Sequence, residues 1–281
     1  MERLPRYWSR ADGEAQAPSG RTYALRRWGW SVSSTAQAAA LAAQRLGELT
    51  QSIRAGREPG RETYYPRTPL REEVIEEVLD SGGTLIAAIT RNRYGALVLN
   101  TAAVLIADVD LPRQSLGGLL KRLFSRGEDP ALAQAVERIE AFAAAHHELS
   151  VHTYRTAAGL RVLITGSGAA PQDEAATEIL QALASDPLYV RLCVAHRTYR
   201  ARLTPKPWRV GLTAPAGHWP FEDDSADRAY REWIERYSAA SANARVCEKL
   251  ASTQGRFSEA ERRIVQLHDQ YVLRGAGSRL A

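Results

Sequence analysis

Two aspartates one residue apart, Asp108 and Asp110, are the first residues whose type and spacing suggest chemistry. They follow a short apolar run, 104–107, which is bounded by Pro112 and predicts a buried strand. Side chains alternate across a strand, so both carboxylates point to one side, with Val109 opposite. Neighbouring carboxylates repel each other, and a divalent cation such as Mg²⁺ is the usual compensation. The alternative is a strand that ends in a solvated acidic turn, because D-x-D alone is a weak motif.

A second candidate is the basic stretch 186–209, in which six lysines and arginines accompany a single acid, Asp186. Arg200 and Arg202 fall on one side of the chain if this part is extended. Proline rigidity at 205 and 207, a planar Trp208 and convergent basic groups are typical of a phosphate-binding loop. The basic groups of that loop are Lys206 and Arg209. The alternative is an arginine-rich edge strand in an arginine-rich protein.

Two further arginines, Arg91 and Arg93, lie in a short polar turn between the apolar runs 85–90 and 96–99. This pattern predicts a β-hairpin. Consecutive strands are usually neighbours, so the turn lies either near the two aspartates or at the opposite end of the sheet. The sequence leaves both positions open.

The remaining pattern contains both predicted strands and predicted helices. The runs 149–154 and 160–165 predict a second hairpin, with His152 on its first strand, where a structural role is more common than a functional one. His268 and Asp269 fall on the last helix, where a solvated surface is the default. Helices are predicted over 35–49, 70–79, 116–124, 131–145, 173–184, 226–237, 239–250 and 258–273.

Composition limits the possible classes of protein. The chain has 281 residues, 44% apolar content and a net charge of +5, which permits a nucleic-acid or nucleotide partner. Two cysteines are too few for a disulfide framework or a zinc cluster. No segment approaches the roughly 18 uninterrupted apolar residues of a membrane span, and no apolar signal region is present. We therefore expect a cytoplasmic protein that does not insert into membranes.

Three motifs in order resemble the archaeo-eukaryotic primase superfamily, and specifically its primase-polymerase branch. They are Asp108-x-Asp110, the hairpin residues 159–161 (Gly-Leu-Arg), and Asp186 followed by the R-x-R-L segment 200–203. The likeness covers roughly residues 84–212. The second motif has two registers: Ser-x-His at 150–152 has the family's spacing but precedes the turn, whereas Arg161 stands after the turn, where the family has histidine.

The resemblance implies a metal-dependent nucleotidyltransferase that acts on nucleoside triphosphates and nucleic acid. Mg²⁺ or Mn²⁺ would be bound by Asp108, Asp110 and Asp186. The basic residues would bind the triphosphate or the template: Arg161, Arg200, Arg202, Lys206 and Arg209, with the turn residues Arg91 and Arg93 as further candidates.

The fold implied by the resemblance is of the α+β class: a primase-polymerase-like core, a mixed sheet with hairpins like those of RNA-recognition domains, flanked by helices. We place a flexible lead-in at 1–20, the core at 21–221 and a helical C-terminal segment at 222–281. Other classes remain open: a non-catalytic nucleic-acid-binding protein derived from the same fold, a D-x-D glycosyltransferase, or a structural, partner-binding protein.

Overall fold

The protein is described by a computed structural model over residues 1–57, 69–112, 129–221, 223–275 and 280–281. The helix predicted at 116–124 lies outside these residues. The chain divides into two compact units: one is Glu2–Val74, and the other is Met1 with Ile75–Ala281. All ten candidate site residues belong to the second unit. In the described residues, no helix is both long enough and apolar enough to cross a membrane.

The smaller unit is a two-stranded antiparallel sheet with one helix. β1 (Tyr7–Gln16) pairs with β2 (Thr22–Ser31), and α1 (Thr35–Arg54) follows. A Cβ atom at Gly29 would lie 2.1 Å from the Ala38 carbonyl oxygen, so only glycine lets α1 approach the sheet this closely. The flexible lead-in expected at 1–20 is therefore corrected, because β1 within it is hydrogen-bonded to β2 along its whole length.

The sheet that carries the D-x-D motif has four strands in the order β10-β7-β8-β6. They are β6 (Leu105–Asp110), β7 (Ser150–Thr156), β8 (Gly159–Thr165) and β10 (Cys247–Ser252). The β7–β8 hairpin confirms the sequence prediction. Every strand pair in this sheet is antiparallel, where a mixed sheet was expected.

The second large sheet has the order β3-β4-β5-β9. Its strands are β3 (Glu73–Leu79), β4 (Leu85–Arg91), β5 (Leu97–Thr101) and β9 (Tyr199–Arg202). The β4–β5 hairpin is confirmed. The helix predicted at 70–79 is wrong, because β3 pairs with β4 there. The apolar residues of this segment have a spacing that fits one face of a helix, and the pairing with β4 is what makes the segment a strand.

Five helices and a short 3₁₀ turn are described in the larger unit. They are α2 (Pro130–Ala145), α3 (Glu174–Ala182), α4 (Pro187–His196), the 3₁₀ turn Pro207–Arg209, α5 (Asp224–Ser241) and α6 (Glu259–Val272). Ser258 and Glu261 form the predicted capping box at the start of α6. The helix predicted at 239–250 is wrong, since α5 ends at Ser241 and β10 begins at Cys247.

One apolar core joins these elements. It includes fully buried residues of both large sheets, such as Ile89, Leu99 and Leu163, together with Ile264 of α6. The segment 222–281 therefore supplies β10 to a sheet and α6 to the core, where a helical segment without a strand was expected. Burial of these side chains fixes the strands that carry the candidate site.

Candidate functional site

The two aspartates of the D-x-D motif lie at the C-terminal end of the edge strand β6. Asp108 is half-buried and Asp110 is exposed, while Val109 between them is buried, so both carboxylates face the same side as predicted. Asp186 lies beside them, because its backbone N–H donates to the Asp108 carbonyl oxygen at 2.8 Å. The fold thus brings Asp186 next to the D-x-D pair, while the Asp186 carboxylate accepts from the Leu188 N–H at 2.9 Å as the cap of the helix Pro187–His196.

Side chains of the segment 185–189 form hydrogen bonds with backbone N–H and C=O groups on the edge of β6 that does not pair with β8. The Ser185 hydroxyl accepts from the Asp108 N–H at 3.1 Å and lies 3.0 Å from the Asp108 carbonyl oxygen, to which it donates. The Tyr189 hydroxyl lies 2.8 Å from the Ile106 carbonyl oxygen and accepts from the N–H of Arg200 on β9 at 3.1 Å. These bonds hold the edges of the two large sheets in register, so Asp108 has a fixed position.

The charges around Asp110 are mixed in sign. Burial raises the pKa of Asp110, and the charges of Asp108 and Asp186 raise it further, while Lys206 and Arg202 lower it. Lys206 directly precedes the 3₁₀ turn that follows β9, Arg209 is the last residue of that turn, and burial lowers the pKa of both. Carboxylates and cations therefore share one partly desolvated region.

Arg161 stands directly opposite Asp108 in the β6–β8 register. Its side chain is only 5% exposed. Its Nη1 donates to the Arg202 carbonyl oxygen at 2.9 Å and lies 3.3 Å from His268 Nε2 and 3.6 Å from Cys247 Sγ. Arg161 thus carries a buried positive charge beside the D-x-D motif, and its hydrogen bonds hold β8, β9 and α6 together.

His268 and Asp269 of α6 extend this contact into a polar network that runs from the buried His268 to the exposed Lys249. His268 Nδ1 lies 3.0 Å from Asp269 Oδ1, which also accepts from the Tyr154 hydroxyl at 2.6 Å. Lys249 Nζ lies 3.2 Å from Asp269 Oδ2. Because arginine can only donate, His268 Nε2 accepts from Arg161 and Nδ1 carries the proton.

The network follows one row across the sheet: Lys249, Tyr154, Arg161 and Asp108 pair in order across β10, β7, β8 and β6. The solvated surface expected for His268 is wrong, since the residue is fully buried. Sequence reasoning missed this row because its members come from distant segments. A histidine next to an aspartate on an amphipathic helix was the only available signal.

We expect the stability of the protein to fall when the pH drops from 7 to 5. Burial lowers the pKa of His268 to about 4, so the unfolded chain binds a proton there between about pH 6.5 and 4 that the folded chain does not. At pH 5 this difference amounts to about 2 kcal/mol of unfolding free energy. Urea denaturation at each pH measures it.

The variant His268→Gln is expected to flatten this pH dependence, whereas His147→Gln, at an exposed position, leaves it unchanged. Burial also lowers the pKa of His152, so a smaller slope of the same sign remains in the His268 variant. An unaltered slope in His268→Gln would contradict the buried neutral imidazole.

The other predicted residues lie at various distances from the carboxylates. His152 is on β7, with Nδ1 2.6 Å from the Ser252 hydroxyl of β10, and β8 separates it from β6. Arg161, not His152, is therefore the residue beside Asp108. Arg200 is half-buried on β9, on the same side as Arg202. Burial raises the pKa of the Cys193 thiol, and the charge of Arg200 offsets part of that rise.

The hairpin arginines contact their own turn. Arg91 donates to the Gly95 carbonyl oxygen at 3.0 Å; burial raises the pKa of Tyr237, and the charges of Arg91 and Arg202 offset part of that rise. Arg93 lies over the ring of Tyr94, 4.7 Å from its centroid. Tyr94 in turn contacts Trp208 of the 3₁₀ turn, so the hairpin turn lies on the side of Lys206 and Arg209.

Within the described ranges, no group of three or more histidine, cysteine, aspartate or glutamate side chains is close enough to hold a metal ion. The D-x-D pair nevertheless offers two carboxylates on one side of a strand. Comparison of the chain with protein-family models, with curated proteins and with solved structures finds no match.

Proposed function

We propose that this protein is a metal-dependent nucleotidyltransferase of the primase-polymerase type, acting on nucleoside triphosphates and nucleic acid. The observation that carries the proposal is the D-x-D pair on one side of β6, next to which the hydrogen bond from the Asp186 N–H to the Asp108 carbonyl oxygen holds Asp186. The nearby cations support it, because nucleotidyl transfer needs both metal ligands and groups that neutralise phosphate charge.

Asp108 and Asp110 are the residues that would hold Mg²⁺ or Mn²⁺, with Asp186 adjacent. Mg²⁺ commonly binds one or two carboxylates together with substrate phosphates, so a site completed by the triphosphate fits this pair. A metal bound there would lower the pKa of an attacking hydroxyl and stabilise the leaving pyrophosphate. Arg202, Lys206 and Arg209 would bind the phosphates, and their desolvation strengthens such contacts.

A second candidate, a non-catalytic nucleic-acid-binding protein of the same fold, is favoured by one observation. Arg161 stands where the primase-polymerase family has histidine, and it is buried and hydrogen-bonded to His268 and to the Arg202 backbone. A protein that only binds nucleic acid would use the basic residues without needing both aspartates.

A thermal-shift titration with Mn²⁺ alone, a nucleoside triphosphate alone, and both together tests the proposal. A ligand that binds only the folded state at about 100 times its Kd adds about 2.7 kcal/mol of stability, or roughly 5–10 °C in a chain of this size. We expect this shift only when both are present, because each would complete the binding site of the other.

Asp108→Asn is expected to abolish the joint shift, because it removes one charge of the metal-binding pair. The matched control is Glu76→Gln, an exposed carboxylate on β3. A joint shift that survives in Asp108→Asn would exclude the D-x-D pair as the metal site. Binding of nucleic acid with no metal or nucleotide effect would favour the second candidate.

A further inference from the structure

Trp208 is an exposed aromatic side chain that the contacts described so far leave without a role. It is 52% exposed, the highest fraction among the large apolar side chains of the described residues. It lies in the middle of the 3₁₀ turn, directly between Pro207 and Arg209. Exposure of a tryptophan leaves a large apolar surface in water, which is unfavourable unless a partner covers it.

Aromatic and basic groups surround this ring. The Tyr94 ring meets it edge-on, with centroids 5.7 Å apart. Lys206 Nζ lies 5.4 Å from the Trp208 centroid, and Arg93 lies over Tyr94. Aromatic rings interleaved with cations are typical of surfaces that bind single-stranded nucleic acid, where bases stack and phosphates are neutralised.

The two loops that carry the rings have fixed conformations. In the hairpin turn, Asn92 Oδ1 accepts from the N–H groups of Tyr94 at 3.0 Å and Ala96 at 3.1 Å. A Cβ atom at Gly95, whose φ is +82°, would lie 2.3 Å from the Trp233 ring, so only glycine allows the turn to pack on α5.

The loop of Trp208 is held from the same helix. The Tyr237 hydroxyl of α5 lies 2.8 Å from the Thr204 hydroxyl and also donates to the Pro205 carbonyl oxygen. The N–H of Arg209 donates to the Lys206 carbonyl oxygen at 2.9 Å. The Trp208 and Tyr94 rings, here called the platform, are fixed in this way and lose little conformational entropy when a base stacks on them.

The platform adjoins the carboxylate site. Lys206, which contacts the Trp208 ring, is an electrostatic neighbour of Asp110 and Asp108, and Arg209 is a neighbour of Asp110. A nucleic-acid strand whose base stacks on Trp208 therefore has its phosphates close to the positive charges of Lys206 and Arg209. Duplex bases are already stacked and paired, so such a platform selects single strands.

We propose that Trp208, supported by Tyr94, is a base-stacking platform for single-stranded nucleic acid next to the Asp108–Asp110 site. This inference rests on the proposed function, because it gives that site its polymer substrate. Lys206 and Arg209 bind the backbone, and Trp208 binds the base.

The test is fluorescence anisotropy in EDTA with two labelled probes of about 12 units, a thymidine oligonucleotide and its abasic counterpart with the same phosphates. We expect Trp208→Ala to weaken binding of the thymidine probe by about 5- to 100-fold and to leave the abasic probe unchanged. Trp208→Phe keeps most of the affinity, because phenylalanine retains a ring face. Arg209→Ala weakens both probes alike.

Phe257→Ala is the matched control, since Phe257 is 39% exposed and also lies beside an arginine, Arg262, at 4.6 Å. It is expected to bind both probes like the wild type. The proposal is overturned if Trp208→Ala binds the thymidine probe normally, if both probes lose affinity equally in that variant, or if the wild type binds neither probe.

Primer extension with Mn²⁺ in the same variants separates the two proposals. Base-dependent binding lost in Trp208→Ala, with no extension by the wild type, supports the platform and refutes the nucleotidyltransferase. Extension by the wild type with normal oligonucleotide binding in Trp208→Ala refutes the platform alone.

Discussion

Replacement of Asp108 by asparagine is expected to lower the rate of Mn²⁺-dependent nucleotide transfer by about 10³-fold or more. Loss of a hydrogen-bond partner outside the ligand shell of a metal already reduces activity by about 10- to 100-fold, so loss of a ligand charge has a larger effect. Asp108 is well suited to this role because its backbone is held in place: its N–H donates to the Ser185 hydroxyl, and its carbonyl oxygen accepts from Ser185 and from the Asp186 N–H.

Single-turnover primer extension measures this rate, and oligonucleotide binding measured in parallel shows whether the fold and the basic residues remain intact. Asparagine keeps the shape of aspartate, so binding is expected to persist or to improve slightly as repulsion of phosphate falls. Glu76→Gln serves as control and is expected to extend primers like the wild type. A rate within tenfold of wild type in Asp108→Asn would contradict a catalytic D-x-D pair.

Replacement of Arg161 by methionine is expected to lower the free energy of unfolding by about 2–4 kcal/mol. Methionine has a similar length but donates no hydrogen bond, so the Arg202 carbonyl oxygen and His268 Nε2 lose their donor in the interior. Each buried polar group left unpaired costs about 1–3 kcal/mol. Asp108 also loses the cation opposite it, beside two other carboxylates.

Urea denaturation at pH 7 measures this loss. Arg155→Met on the neighbouring strand β7 is the matched control, because Arg155 is exposed, and its replacement is expected to change stability by less than about 0.5 kcal/mol. Equal stabilities of the two variants would show that the contacts of Arg161 contribute little to the fold.

The local patterns in the sequence were sufficient for several elements. The hairpin turn at 91–95 was predicted correctly. Its Asn92 side chain accepts a backbone hydrogen bond and its Gly95 has a positive φ, and both features suit a tight turn. Ser258 and Glu261 marked the start of α6 for a similar reason, since a capping box is formed by residues three apart. Alternation along β6 also placed Asp108 and Asp110 on one side.

Tertiary partners decided the elements that were predicted wrongly. The residues of β3 and β10 have charged and apolar positions compatible with a helix, and they become strands because β4 and β7 offer them hydrogen-bonding edges. The strand at 7–16 likewise depends on β2, which follows it along the chain. Pairing energy of this kind comes from a partner and leaves no trace in a short window of sequence.

The candidate site shows the same division. Residue type and spacing, which are local properties, named Asp108, Asp110, Lys206 and Arg209 as residues suited to metal and phosphate, and the resemblance to the primase-polymerase family added Asp186. The position of Asp186 next to Asp108 depends on a backbone hydrogen bond between residues 78 positions apart. The row from Lys249 through Tyr154 and Arg161 to Asp108, and the burial of His268 against it, exist only once β10 and α6 have packed on the sheet.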